Sequence, residues 1–279
     1  MLKTKQIAFL GVGNMGRAIV EGLLREEVVD ADHVWVADKH AELCEVLHRK
    51  WSVQTGSIQH VVPHADIVIL AVKPQDIAQL LTEIAPTLHS EQLVISIAAG
   101  VSTQTIESYL EPSIPVVRVM PNLPMQIGAG AAAYCLGAHA SWPHGVVCSL
   151  LCSAMGIAVE VSEDQMDAVT ALSGTGPAYV FLLAEALTQA GIQEGLPQEV
   201  AHYLTTQTLL GGAKMMMNTE VTPAALRQQV TSPNGPTAAA MEVFERHGFH
   251  DIVQKGVHAA RTRARVLCEH FSSTNLPSV

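Results

Sequence analysis

The chain has 279 residues and a net charge of −10, and it is 48% hydrophobic, 4% aromatic and 15% charged. So apolar a chain is not disordered, and an acidic chain without basic runs is a poor partner for a phosphate backbone, which excludes nucleic acid. Charge falls well short of the usual ~25%, so either burial is unusually efficient or apolar surface lies hidden between subunits.

The first half alternates short apolar runs with helical patterns. Ile7–Leu10 reads as a strand and Met15–Glu26 as a helix with Ile19, Val20, Leu23 and Leu24 on one side. Val34–Ala37 is a second strand and Glu42–Lys50 a second helix. Ile67–Val72 is apolar throughout, as a parallel strand buried on both faces should be. Ile77–Ala85 is helical, Leu93–Ala98 a fourth strand, Thr103–Leu110 a short helix and Val116–Met120 a fifth strand. This alternation implies a doubly wound parallel sheet. After about Val161 it stops, and helical patterns take over at 179–190, 197–219, 223–230, 237–246 and 249–270. The expected organisation is α/β, a Rossmann-type doubly wound parallel sheet over residues 1–161, followed by an all-α domain over 162–279.

No apolar run reaches the ~18 residues of a membrane span. Met1-Leu2-Lys3-Thr4-Lys5 leads into the first strand without a secretory apolar region. A soluble cytoplasmic protein with no membrane partner is expected. The five cysteines form no C-x-x-C pair and the 13 histidines are scattered, so neither a disulfide framework nor a metal site is expected. Cys148 and Cys152, four apart on one helix face, read as buried neutral thiols.

Gly11-Val12-Gly13-Asn14-Met15-Gly16 follows the first strand and opens a helix. In that context G-x-G-x-x-G is a dinucleotide fingerprint. The first glycine permits the tight turn, the second lets a pyrophosphate approach the backbone and the third lets helix and strand pack closely. Leu10 to Met15 are therefore candidate cofactor contacts. Asp38 ends the second strand about 20 residues beyond Gly16, where an acid commonly bonds the ribose 2′-OH of NAD. Lys39 follows directly and suits a 2′-phosphate, so the two residues point to different cofactors, NADH and NADPH.

Further segments stand in order along the chain: Ala71-Val72-Lys73-Pro74, Ser96-Ile97-Ala98-Ala99-Gly100, Arg118-Val119-Met120-Pro121-Asn122-Leu123-Pro124, Ala171-Leu172-Ser173-Gly174-Thr175-Gly176-Pro177-Ala178-Tyr179 and Thr231-Ser232-Pro233-Asn234-Gly235-Pro236-Thr237. Together they resemble the pyrroline-5-carboxylate reductases from about Ile7 to Leu267. The resemblance implies NADPH- or NADH-dependent reduction of a small cyclic imine, L-1-pyrroline-5-carboxylate, to L-proline, the last step of proline biosynthesis. It implies that Ala71 to Pro74 line the cofactor. Small residues at Ala98 and Gly100 would leave room for a nicotinamide, and Asn122 would offer its amide.

It also implies that Thr237 contacts the imine nitrogen and aids its protonation, with Ser232 and Gly235 in the turn that cradles the substrate carboxylate. Glu163 falls at a substrate-site position. Two residues depart from the family pattern. Asn234 replaces a glycine, a mild change because Asn tolerates the left-handed conformation. Pro236 removes an N–H that could have served the carboxylate. The family's helical half interleaves with its partner's, so a homodimer is expected, with a ring of dimers beyond it and a catalytic site shared between subunits. Thr237 as a plain helix N-cap, a different cyclic imine or a 3-hydroxy acid as substrate, and a non-catalytic nucleotide sensor remain as alternatives.

Overall fold

A computed structural model describes residues 2–274. By contacts the chain divides into two compact units. One holds the described residues of Met1–Thr175 and Ala260–Val279, the other Gly176–Ala259. The sequence put the change from sheet to helices at 161, whereas the units divide at Thr175/Gly176 and the end of the last helix counts with the sheet.

The sheet strands are β1 (Ile7–Leu10), β2 (Val34–Ala37), β3 (Gln54–Thr55), β4 (Ile67–Leu70), β5 (Leu93–Ser96), β6 (Val116–Met120), β7 (Gly130–Leu136) and β8 (Gly156–Glu160), in spatial order β3-β2-β1-β4-β5-β6-β7-β8. Its helices are α1 (Asn14–Arg25), α2 (Ala41–Trp51), α3 (Ile58–Val61), α4 (Ile77–Ile84), α5 (Thr103–Glu107), α6 (Trp142–Ser153) and α7 (Met166–Val169). β1 to β6 are parallel, which fits strands whose residues are buried on both faces. The expected doubly wound parallel sheet is present, and β7 adds one antiparallel pairing to it. β7 runs antiparallel to β6, and β8 then lies parallel to β7. Two strands and α6 thus extend the sheet where the sequence showed no alternating pattern.

Two large apolar clusters cover the sheet, and a small one joins β7 to α7 through Ala133, Cys135 and Met166. Phe9, Leu23, Leu47 and Ile69 belong to one of the large clusters, and Leu10, Leu70, Leu81 and Ile106 to the other. β1 sits between β2 and β4, so the chain winds outward both ways from it. Ligands of such sheets bind at the carboxyl ends of the strands, beside that reversal.

The second unit holds α8 (Gly176–Gln193), α9 (Gln198–Met217), α10 (Pro223–Gln229), α11 (Pro236–Arg246) and the start of α12 (Phe249–Thr274). α8, α10 and α11 bury no residue, and α9 buries only Ala201 and Thr205. Among the described residues no helix is long and apolar enough to cross a membrane. Among them, too, no group of three His, Cys, Asp or Glu could hold a metal.

Candidate active site

The carboxyl ends of β1, β2 and β4 enclose a crevice of about 410 Å³. Leu10, Gly11, Gly13, Asp38, Lys39, Ala71, Val72 and Lys73 all line it, so three separate sequence segments meet there. Gly11 has φ +97°, and a Cβ on it would come within 2.8 Å of the Ala71 carbonyl. The first glycine is thus required twice over, by its dihedral and by the neighbouring strand. A Cβ on Gly16 would run into the Gly11 carbonyl oxygen, so the third glycine seats α1 against the turn. A Cβ on Gly13 would meet nothing within 4 Å. That position is open toward the crevice, as close approach of a pyrophosphate needs.

Gly13 is also the N-cap of α1. No side chain caps this helix and no acid stands in its first turn. The first N–H groups and the positive end of the dipole are left for an anion. Cleft, open glycine and uncapped helix start fit a dinucleotide. Asn14 and Met15 lie on that first turn without lining the crevice, while Pro74 opens the short turn after Lys73. Val12 is buried, and its contribution is its N–H, donated to Asp38 Oδ2 at 2.8 Å. The other carboxylate oxygen of Asp38 accepts the His40 N–H at 2.9 Å. Each oxygen keeps one lone pair for a ribose hydroxyl. Lys39 Nζ lies 3.1 Å from Asp76 Oδ2, on the opposite lip of the crevice. Lys73 has no ion-pair partner among the described residues.

The other proposed contacts are placed differently. Ala98 is buried in the apolar cluster with Leu70, and Gly100, at φ +75°, lies where a Cβ would touch Leu267 Cβ at 3.4 Å. Close packing already accounts for both small residues, Ala98 within its cluster and Gly100 on α12. Asn122 is buried with both ends of its amide engaged. Its Nδ2 donates to the Ser173 carbonyl at 3.3 Å, and its Oδ1 accepts the Ala131 N–H at 2.8 Å. The partner segment Thr170–Gly174 is a π-helical turn, closed by Thr175 N donating to the Thr170 carbonyl at 2.9 Å.

Glu163 is the centre of a buried network. One carboxylate oxygen pairs with Arg118 Nη1, and the other accepts Thr103 N at 3.1 Å and Thr103 Oγ1 at 2.7 Å. Burial works to raise the Glu163 carboxyl, but the Arg118 charge and the Thr103 hydrogen bonds outweigh it and hold the group below its ordinary value. Cys135 donates its thiol to the same carboxylate at 3.4 Å, and burial together with that negative charge pushes its pKa up to about 12. The Arg118 side chain is 3% exposed and that of Glu163 35%.

The segment 231–237 belongs to the second unit. Gly235 N donates to the Ser232 carbonyl at 3.1 Å, closing a four-residue turn with Pro233 second and Asn234 third at φ +58°. A type II turn demands positive φ there, and Asn is one of the few side chains that accept it. Gly235 is the N-cap of α11, Pro236 stands at the first helical position and Thr237 at the second. The reading of Thr237 as the cap is therefore corrected. Pro236 takes the cap-adjacent place for which its φ is preset. No side chain caps α11, no acid stands in its first turn, and the Thr237 hydroxyl has no partner among the described residues.

The comparisons agree along the whole chain. Residues 163–267 match a family model described as "Pyrroline-5-carboxylate reductase dimerisation", and residues 6–100 one described as "NADP oxidoreductase coenzyme F420-dependent". A pyrroline-5-carboxylate reductase of Pseudomonas aeruginosa is 42% identical over 97% of this chain and 99% of its own. The chain belongs to the pyrroline-5-carboxylate reductase family. The human pyrroline-5-carboxylate reductase 2 is 36% identical over 94% of this chain and 83% of its own. The solved reductase of Coxiella burnetii superposes with TM-score 0.89 at 38% identity, covering 95% of this chain and 99% of the other. That of Plasmodium falciparum, solved with NADP bound, gives 0.85 at 28%, covering 96% and 100%.

Asp76 and Thr103 lie outside the sequence motifs, and Arg118, which heads one of them, gains its role only beside Glu163. Arg118 had left a signal, a lone charge inside the apolar strand Val116–Met120. Such a residue needs a buried counter-charge. The π-helical turn left none beyond its glycine.

Proposed function

We propose that this chain reduces L-1-pyrroline-5-carboxylate to L-proline with NADPH or NADH, as an oxidoreductase of proline biosynthesis. The observation that carries this reading is the crevice, where an open Gly13 over an uncapped α1 is framed by Asp38 and Lys73. The reduced nicotinamide supplies a hydride to the carbon of the C=N bond. The nitrogen takes a proton, and imine, NAD(P)H and H⁺ give the cyclic amine and NAD(P)⁺.

The chain's own work is to bind, orient and donate hydrogen bonds. In this reading Gly11 to Met15 hold the pyrophosphate, Asp38 the ribose, and Ala71 to Pro74 the inner wall. The turn from Ser232 to Gly235 and the open start of α11 receive the substrate carboxylate through backbone N–H groups. Thr237, with its hydroxyl uncommitted, serves the nitrogen. Glu163 holds Arg118 and Thr103 in position. Ala98, Gly100 and Asn122 shape the walls by packing. The enzyme works in the cytoplasm as a homodimer through its helical unit, with a ring of dimers as the larger assembly.

The test is a steady-state assay of purified, folded protein with the imine and each cofactor. Oxidation of either cofactor only when the imine is present is expected. Thr237→Ala should lower kcat at least tenfold while the Kd of either dinucleotide changes less than threefold, consistent with general-acid contributions of about 10²–10⁴ at most. No oxidation above background would overturn the reading, and unchanged turnover in the variant would remove Thr237 from it.

A further inference from the structure

We propose that Asp76 sets the cofactor preference of the crevice by neutralising Lys39, so that the end of β2 favours NADH over NADPH. The inference rests on the reading of the crevice as a nicotinamide-dinucleotide site. Asp38 is fixed there by two backbone N–H groups, from Val12 at 2.8 Å and His40 at 2.9 Å. Its remaining acceptor sites suit ribose hydroxyls and repel a 2′-phosphate. Lys39, the next residue, is the cation that could offset this repulsion.

Its ammonium is already engaged, at 3.1 Å from Asp76 Oδ2. Asp76 comes from the turn after β4, across the crevice that both residues line. An NADPH molecule faces two unfavourable choices. Its phosphate either draws Lys39 away, leaving the Asp76 carboxylate unpaired beside it, or remains near Asp38 with Lys73, from the segment after β4, as the one unpaired lysine among the described residues lining the crevice. NADH, which has no 2′-phosphate, meets neither. Glu83, another acid on this wall, is engaged with Gln59 Nε2 at 2.6 Å and does not compete for Lys39. The Lys39 and Asp76 side chains are 69% and 37% exposed, so water screens the pair and the effect is graded rather than absolute.

The experiment compares the full-length protein with Asp76→Asn and with Asp76→Asn/Lys39→Ala. The Kd of NADH and of NADPH is measured by fluorescence titration at about 0.05 M and about 0.5 M salt, alongside kcat/KM for each cofactor with the imine. Asp76→Asn should shift the NADPH/NADH selectivity toward NADPH by roughly three- to fivefold, the scale of one solvent-exposed ion pair. The second substitution should abolish that gain, and the high salt should shrink it. A gain that persists without Lys39 would show simple repulsion by Asp76 and overturn the proposal. So would equal changes for both cofactors. A wild-type protein that binds neither dinucleotide would overturn the crevice reading and this inference with it. Binding of both without turnover of the imine would overturn the reductase reading alone, and the selectivity shift in Kd would still support or refute the role of Asp76.

Discussion

Glu163 and Arg118 come from segments 45 residues apart and meet through the fold. Strand patterning cannot see such a pair, because it reads neighbours only. The fingerprint glycines and Asp38 were legible for the opposite reason. Their spacing is that of one β1–α1–β2 unit, whose regular geometry returns Asp38 to the Val12 N–H although 26 residues separate them. The structure also makes Glu163 a test of linkage. Its carboxyl is depressed in the folded protein and returns to its ordinary value near 4.5 on unfolding. The stability it contributes is therefore complete above that value and is lost as pH falls through the lower folded value. Glu163→Gln should leave Arg118 buried without its charge partner. Removing one member of a fully buried pair costs about 3–5 kcal/mol. Because Glu163 is 35% exposed, roughly 2 kcal/mol is expected at neutral pH. Denaturant titration at pH 7 and pH 3.5 should show a difference between variant and wild type that narrows at the lower pH. A constant difference would mean that the pair does not titrate.

At the scale of elements, β1, β2, β4, β5 and β6 were legible because each is a short, nearly continuous run of β-branched or apolar residues. β7 was not. Its Gly130-Ala131-Ala132-Ala133 start has weak strand propensity, and pairing with β6 and β8 makes it a strand. Asn122, tied to Ala131, braces the loop that leads into it. The fingerprint turn separates two roles that its sequence pattern merges. Gly16→Ala sets a methyl against the Gly11 carbonyl and, at 3.1 Å, the Ala71 side chain. It should lower Tm and weaken dinucleotide binding together. Gly13→Ala meets nothing within 4 Å. Its folding cost should stay within about 1 kcal/mol, the scale of an N-cap change, while the Kd of both cofactors rises at least tenfold because the methyl occupies the pyrophosphate's approach. Thermal melts without cofactor, paired with binding titrations, check this. Equal binding loss without any Tm loss in both variants would place the two glycines in the same role.

The composition of the whole molecule acquires a location in the structure. The sheet unit hides most of its apolar residues in three clusters, whereas the helical unit, which buries almost none, leaves Phe181, Leu182, Tyr203, Leu204, Met217 and Ile252 exposed in the isolated chain. Uncovered apolar surface therefore lies on helices that bury almost nothing by themselves, within the region matched by the family's dimerisation model. Leu182 is 66% exposed in the middle of α8. If a second copy covers it, Leu182→Glu places an unpaired carboxylate in an apolar interface and should dissociate the assembly. Wild-type protein should then sediment as a dimer or larger at micromolar concentration, with a Tm that rises with concentration. The variant should sediment at lower mass and melt several degrees lower, with little dependence on concentration. Unchanged mass and Tm would mean that this face of α8 stays in water, and the apolar surface would have to be covered elsewhere.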